Sequence, residues 1–239
     1  MAQLVYGKNV VKQILNDEDC RAGKIYLAGP DPEIQKLAAA QKVPVVQIDR
    51  RELQKLTGTD HHQGTAAEVR EYETCSVADI TAARHGQHGL IIALDELEDP
   101  HNLGAILRSA DGAGADGVIF RKDRSVGLTP AVAKVSAGAI ETVRCAAVTN
   151  LVRTLQDLKK QGWWVVGTDM KGQDYRTLQY DFDTVLVIGN EGKGISRLVR
   201  EQCDYMVSLP MRGKIQSLNA SVSAGILMYE ISAHHFPAD

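Results

Sequence analysis

Aromatic side chains are scarce in this 239-residue chain: three Phe, two Trp and seven Tyr make up 5% of it. The core must therefore rest on Val, Ile, Leu and Ala. The apolar share of 44% allows one large domain, or a small domain beside a medium one. The four cysteines, Cys20, Cys75, Cys145 and Cys203, form no C-x-x-C pair and have no histidine at metal-like spacing. That excludes a zinc ribbon or a disulfide framework and is the pattern of reduced thiols in a cytosolic protein. No stretch approaches the ~20 apolar residues of a membrane span. The opening residues MAQLVYGKNVV hold neither a long apolar core nor a cleavage site, so a soluble, cytoplasmic protein is expected. Excess basic charge is also missing. With 27 Lys and Arg against 30 Asp and Glu the formal net charge is −3, so any nucleic-acid role must come from local patches. A Walker loop is absent, and GAGADG at 112–117 closes a helical pattern where a dinucleotide fingerprint would open one.

What is present is an alternation of short β-branched runs with Ala- and Leu-rich stretches, the texture of an α/β protein. In residues 1–70, GKNVVKQILND predicts a helix with Val10, Val11, Ile14 and Leu15 on one side. DPEIQKLAAAQK predicts another, with Asp31 as N-cap and Pro32 at the first helical position. KIYLA, VPVVQI and GTAAEV read as strands, and DRRELQKLTG as a capped helix between the last two. Residues 71–88 are polar and read as a linker with one short helix near 77–84. From Gly89 to the C-terminus the strands LIIALDEL, DGVIF, TVRCAAV, WWVVGTDM, DTVLVIG and YMVSLPM are nearly continuous apolar runs, as in a parallel sheet covered on both faces. The helices between them end with the long SLNASVSAGILMYEISAHH, whose His234 and His235 are expected at a frayed terminus.

One stretch carries unusual chemistry. LVIGNEGKGISRLV, residues 186–199, enters a turn with Gly189, Gly192 and Gly194, yet Glu191 sits within it. A carboxylate beside a pyrophosphate is unfavourable without a neutralising cation. A ligand with hydroxyls, an adenine edge and a positive sulfonium avoids that repulsion, and S-adenosylmethionine has all three. The plain alternative is a tight strand-to-helix turn whose glycines only relieve backbone strain. Two further segments bear on the choice. In LDELEDPHNLGAILRSADGAGADGVIF, 94–120, a strand ends in acidic residues, Asp99-Pro100 interrupts it, Asn102 is placed to cap a helix, and Arg108 follows six residues on. In SLPMRGKIQSLNASVSAGILMYE, 208–230, a strand leads through Gly213 to Ser217, Leu218 and Asn219 at a helix start.

In this order the three segments resemble the motifs of the SpoU/TrmH family of RNA ribose 2′-O-methyltransferases, of the SPOUT class. Asn102, Gly104 and Arg108 carry the first, GNEGKGI with Glu191 the second, and Ser217, Asn219 and Ser221 the third. The match covers about residues 90–232. The first 70 residues resemble the family's accessory RNA-binding module, a small α/β fold like ribosomal protein L30e. Together these are most similar to bacterial enzymes that methylate a guanosine of 23S rRNA. The third motif departs modestly, with Ala220 and Ser223 where the family often has Val and Ala.

The resemblance implies a SPOUT-type parallel sheet with a C-terminal trefoil knot in residues 89–239, a homodimer, and methyl transfer from S-adenosylmethionine to an RNA ribose. Arg108 would stabilise the developing alkoxide or grip the adjacent phosphate, not act as a base, because guanidinium keeps its proton at neutral pH. Asn102 is either part of the site or only a helix cap. Glu191 either orients Arg108 or a nucleotide hydroxyl, or is a solvated loop carboxylate. Ser217 and Asn219 either bind ligand or cap the last helix. The donor would meet Thr168, Gly189, Asn190, Gly194, Leu209, Met211 and Leu218, with no metal involved. The basic clusters DRR at 49–51, RKDR at 121–124 and MRGK at 211–214 are either solvated faces or tracks for RNA phosphates. His61 and His62 read as loop residues, not metal ligands. The competing functions are a transfer-RNA 2′-O-methyltransferase and a non-catalytic RNA-binding protein of the same fold.

Overall fold

A computed structural model describes residues 2–16, 20–84 and 86–236. The chain divides into two compact units, Met1–Tyr72 and Glu73–Asp239.

The first unit is built on a four-stranded sheet. Its strands are β1 (Ala2–Tyr6), β2 (Ala22–Leu27), β3 (Val45–Gln47) and β4 (Thr65–Arg70), in the spatial order β1-β4-β2-β3. Only β2 and β3 run parallel, while β4 is antiparallel to both its neighbours. The sheet is therefore mixed, and β1, which the sequence pattern did not single out, adds an edge strand beside β4. Helices α1 (Lys8–Leu15) and α2 (Pro32–Ala40) bury Val11, Ile14, Leu15, Ile34 and Ala38 against Ile25, Leu27, Ala67 and Val69. Each large apolar side chain so buried contributes about 1.5–3 kcal/mol relative to exposure. Asp31 caps α2 as expected, accepting from the Ile34 amide at 3.2 Å. Helix α3 (Arg50–Thr57) begins in a capping box, with Asp49 accepting from the Arg51 and Glu52 amides. His61 is exposed, whereas His62 is buried and its Nδ1 accepts from the Gly64 amide at 3.0 Å. Among the described residues no His, Cys, Asp and Glu cluster suits a metal ion.

The second unit starts earlier than the apolar strands suggest. From Glu73 on, the polar stretch read as a linker belongs to it. The Cys75 amide donates to the Cys145 carbonyl at 2.8 Å. Helix α4 (Val77–Ala82), capped by Ser76, drives Ile80 fully into the core. One apolar residue in a short amphipathic turn is too faint a signal to reveal docking. The sheet holds β5 (Leu90–Leu94), β6 (Gly117–Arg121), β7 (Cys145–Val148), β8 (Trp164–Asp174), β9 (Thr184–Ile188) and β10 (Tyr205–Ser208), all parallel, in the order β10-β8-β9-β5-β6-β7. One face packs Ile91, Ala93, Val185 and Val187 against Leu151, Leu155 and Leu158 of α8 (Leu151–Lys160) and Val199 of α9 (Arg197–Arg200). The alternate residues Ile92, Val118 and Leu186 are just as buried, which explains the unbroken apolar runs. Two further helices, α6 (Pro130–Ser136) and α7 (Ala139–Thr142), join β6 to β7.

Helix α5 (Pro100–Gly112) packs along the final helix α10 (Ala220–His235). α10 stays ordered to its end. His235 is buried with its ring 5.6 Å from that of His88, so the expected fraying does not occur. Among the described residues no helix is long and apolar enough to cross a membrane, and all four cysteines are free thiols.

Candidate functional site

The strand order reverses beside β5. The chain builds outward through β6 and β7, then returns to lay down β8, β9 and β10 on the other side. In parallel α/β sheets a ligand crevice forms outside the carboxyl ends of the strands at such a switch point. A cleft of about 560 Å³ lies at the carboxyl ends of β8, β9 and β10, on the returning side of this switch, walled by the segments that leave those strands and by the start of α10. Thr168, Asp169 and Met170 reach it through an irregularity in β8. β10 pairs with Gly167 and then directly with Gln173, so residues 168–172 leave the ladder and form one lip.

The glycine loop after β9 is a second wall. Asn190 and Gly194 exchange both backbone hydrogen bonds, at 3.1 and 2.9 Å, which folds the loop back on itself. Gly194 has a φ of +68°, the left-handed region. At Gly189 the issue is space, since a Cβ would lie 2.3 Å from the Gly194 carbonyl carbon. The Asn190 side chain is spent inside the loop. Its Oδ1 accepts from the Gly192 and Lys193 amides, and its Nδ2 donates to the Glu96 carbonyl at 2.9 Å. The Asn190 side chain thus shapes the loop, while the residue itself lines the cleft. The third wall, residues 209–218, makes no backbone–backbone hydrogen bond with any described residue, which leaves its amides and carbonyls open to a ligand.

Thr168, Gly189, Asn190, Gly194, Leu209, Met211 and Leu218 all line this cleft, together with Glu191 and Ser217. Asn102 and Asn219 stand just behind it. Asn219 Nδ2 donates to Asn102 Oδ1 at 2.9 Å, and Asn102 Nδ2 donates to Glu191 Oε1 at 2.6 Å. One hydrogen-bonded chain thus ties together loops 89 and 117 positions apart in the sequence. Its middle member is only 5% exposed. Asn102 is not the helix cap: Asp99 is, accepting from the His101 amide at 2.8 Å. Pro100 at the first helical position fixes that start and leaves Asn102 free to face the loops. Asn219 holds both of its roles. Its Oδ1 caps α10 by accepting from the Ser221 and Val222 amides while its Nδ2 reaches Asn102. Ser221 Oγ also donates to Asn219 Oδ1, at 2.6 Å.

Arg108 is not brought into the cleft of its own chain. It is exposed on α5 and makes no ion pair with any described residue. Six residues from Asn102 at about 100° each leaves it roughly 120° around the helix, on a different face. It shares that face with Gly112, one turn on, where a Cβ would meet the Tyr229 hydroxyl of α10.

Sequence reasoning gave no role to several groups that the fold brings here. Asp169 and Arg200 form an ion pair on the cleft wall, which holds the Asp169 carboxyl below the ordinary carboxylate range. Asp95, at the end of β5, is 1% exposed and accepts from the Ser196 amide at 2.7 Å. Glu96 takes a φ of +60°, at a cost of roughly 1–2 kcal/mol for a residue with a Cβ. Its carboxylate receives Arg121 at 3.0 Å and Arg124 at 3.5 Å. The first arginine of the 121–124 cluster is thereby committed inside the protein.

The fold and cleft define an α/β protein with a small-molecule cleft at the carboxyl ends of a parallel sheet, walled by open backbone groups and carrying both carboxylates and cations. The comparisons narrow this. The pattern of the SpoU rRNA Methylase family matches residues 89–229, and that described as RNA 2′-O ribose methyltransferase substrate binding matches residues 4–75. YacO of Bacillus subtilis strain 168, named for the TrmH family of tRNA/rRNA methyltransferases, is 45% identical over 235 residues, covering 95% of this chain and 94% of its own. A TrmH family protein of Staphylococcus aureus strain COL is 47% identical over 202 residues, covering 83% of this chain and 81% of its own. Among solved structures, the SpoU methyltransferase AviRb from Streptomyces viridochromogenes superimposes with a TM-score of 0.65 at 26% identity, over 98% of this chain and 90% of its own. AviRb has also been solved in complex with AdoMet. The chain belongs to the SpoU rRNA methylase family of RNA methyltransferases.

Proposed function

We propose that this protein transfers a methyl group from S-adenosylmethionine to the 2′-hydroxyl of a guanosine ribose in 23S rRNA. The observation that carries the reading is the Asn219–Asn102–Glu191 chain, which joins the three motif loops beside a cleft walled by open backbone. The cleft suits this donor. Its volume falls within the roughly 300–1,000 Å³ of small-molecule sites. The free backbone groups of 209–211 and 216–218 complement an adenine edge and ribose hydroxyls, and with Asp169 paired to Arg200 and Lys193 beside Glu191 the wall has no net positive charge with which to hold a pyrophosphate. The donor supplies an electrophilic methyl carbon. The chain's own residues would do the rest. Gly189, Leu209 and Leu218 hold the nucleoside by backbone groups, with Thr168 beside them. Glu191, steadied by Asn102, orients the acceptor ribose, and Ser217 contacts it from the third loop.

The ribose oxygen attacks the methyl carbon as the carbon–sulfur bond breaks, and the hydroxyl proton passes to an RNA phosphate. Arg108 holds that phosphate and stabilises the developing alkoxide. Its absence from its own cleft supports action at the cleft of a second copy. Val222, Ile226 and Tyr229 leave an exposed apolar strip on α10, and Gly112, on the Arg108 face of α5, abuts Tyr229. We read that strip as the homodimer interface, the C-terminal trefoil knot as part of the same family architecture, and the cytoplasm as the compartment. The match of residues 4–75 to an RNA 2′-O ribose methyltransferase substrate-binding pattern supports an RNA substrate, and the choice of ribosomal over transfer RNA follows the family resemblance of the two-part architecture.

The test is methyl transfer from tritiated donor to purified 23S rRNA and to transfer RNA, with the product mapped by resistance to alkaline hydrolysis. Label at a single ribosomal guanosine is expected. Arg108→Ala should abolish transfer while changing donor affinity less than about tenfold. Label only in transfer RNA overturns the ribosomal assignment. Donor binding without transfer to either RNA favours the non-catalytic reading, and equal turnover by Arg108→Ala overturns the role of Arg108.

A further inference from the structure

The glycine loop lacks the regular hydrogen bonding of a helix or strand, yet a donor site built on its backbone must present the same surface each time. Its two ends are held by two consecutive residues of another segment. At the loop's entry, Asn190 Nδ2 donates to the Glu96 carbonyl at 2.9 Å. At its exit, the Ser196 amide donates to Asp95 Oδ2 at 2.7 Å. Asp95 is itself pinned to the strand before the loop, its amide donating to the Ile188 carbonyl at 2.9 Å. Between these grips the loop closes on itself through Asn190 and Gly194.

Both gripping residues carry a structural penalty. Asp95 is a buried carboxylate whose Oδ1 has no hydrogen-bond partner among the described residues. A buried acceptor left open is costly and calls for an explanation. Glu96 stands in the left-handed region, where glycine is the ordinary occupant. That conformation sets the direction of its carbonyl, and its side chain is fastened by Arg121 and Arg124. Two adjacent unfavourable features that act on the two ends of one loop have a common use.

We propose that Asp95 and Glu96 are positioning residues that clamp the glycine loop in its donor-binding form, Asp95 through its carboxylate and Glu96 through its backbone carbonyl. The proposal rests on the reading of this cleft as the S-adenosylmethionine site. A charge-assisted bond to a backbone amide is among the stronger local restraints. It leaves the loop's other amides free for ligand.

Calorimetry with S-adenosylmethionine, and amide hydrogen exchange without it, test the clamp on the full chain. Asp95→Ala should weaken donor affinity about tenfold or more at unchanged binding stoichiometry. Asp95→Asn, which keeps an acceptor for Ser196, should stay within about threefold. Asn190→Asp, which keeps the acceptor for the Gly192 and Lys193 amides but has no donor for the Glu96 carbonyl, should weaken affinity as Asp95→Ala does, and wild-type affinity there overturns the part given to Glu96. Ser196→Pro deletes the same amide donor from the other side, at a residue whose φ of −62° suits proline; it should weaken affinity about tenfold or more as well, and it decides the test where Asp95→Ala fails to fold. In the exchange experiment, residues 190–196 should lose protection in Asp95→Ala and Ser196→Pro while β5 and α8 keep theirs. Wild-type affinity in both of these variants overturns the clamp. So does a loss seen only in stoichiometry, which marks general unfolding, or Asp95→Asn as weak as Asp95→Ala. If wild type itself binds no donor, the donor reading fails, and the exchange experiment alone still decides: unchanged protection in 190–196 overturns the clamp.

Discussion

Replacing Asn102 by Asp tests the hydrogen-bonded chain by changing little more than an NH2 group into an oxygen. The direction of that chain is dictated chemically. Glu191 as a carboxylate can only accept, and Asn219 has only its Nδ2 donor to offer because its Oδ1 already serves α10. Asn102 must therefore turn its NH2 to Glu191 and its oxygen to Asn219. N102D sets a second carboxylate against Glu191, where the present contact is 2.6 Å. Losing a hydrogen bond to a charged group costs about 1.5–3 kcal/mol. Two like charges about 4 Å apart add roughly 1 kcal/mol in water and 4 kcal/mol at an effective dielectric of 20. Glu191 is exposed and can swing away, so the lower part of that range applies: about 2.5–4 kcal/mol, or a fall of roughly 10²–10³ in kcat/KM. Carboxylates that share a site raise the pKa of one of them, so a shared proton can rebuild the contact. N102D should recover relative to wild type as the assay is moved from about pH 8 to pH 5, whereas N102A, which has no proton to share, should not. The measurement is tritium transfer to RNA at subsaturating substrate across that range. An N102D that follows wild type at every pH, or an N102A that recovers equally, would refute the assigned chain.

Gly189→Ala should cost about 1–3 kcal/mol in thermal unfolding and most of the donor affinity, because its methyl group would meet backbone at 2.3 Å; an unchanged Tm with full affinity would show that the loop yields freely. Burial pushes the Cys145 thiol up to about 12 and the Cys203 thiol up to about 11, so at pH 8 only about one in 10⁴ and one in 10³ are thiolate. Iodoacetamide at that pH should leave both unmodified in the folded protein and label them in urea, as read by mass spectrometry. Burial, and next the facing His88, lower the pKa of His235 below its ordinary 6.5, so the native ring stays neutral where the unfolded one takes a proton. Stability carried by this group is therefore present above about pH 6.5 and lost as pH falls toward the lower native value. His235→Leu should flatten that part of the Tm profile, and an equal slope in the variant counts against the assignment. Asp99→Ala should lower stability by about 1 kcal/mol through loss of the α5 cap, whereas Asn102→Ala should fall mainly in activity.

How much was readable in advance differs by kind of feature. The strands of the second unit announced themselves as unbroken apolar runs, because both faces of a parallel sheet are covered and each residue of β5 and β9 is buried. The caps at Asp31 and Asp49 were legible because a cap is a contract between neighbours in the chain. Asn102, Glu191 and Asn219, read locally as a helix cap, a carboxylate in a glycine loop and a helix start and joined only by the family resemblance, do meet, yet nothing in their local spacing says so. Asp99 and Asn102 are equally good capping types; Pro100 settles the choice locally, as Pro32 does after Asp31, and what the remote Glu191 and Asn219 decide is the use made of Asn102. The excursion of residues 168–172 from β8 was invisible for the same reason, since register is set by the partner strand β10. So were the docking of Ile80, the burial of His235 and the turning of Arg108 away from its own cleft. Periodicity reports which face of an element is apolar and where it starts and stops. Which loops converge depends on strand order and on hydrogen bonds between side chains a hundred positions apart, and those are decided only when the chain packs.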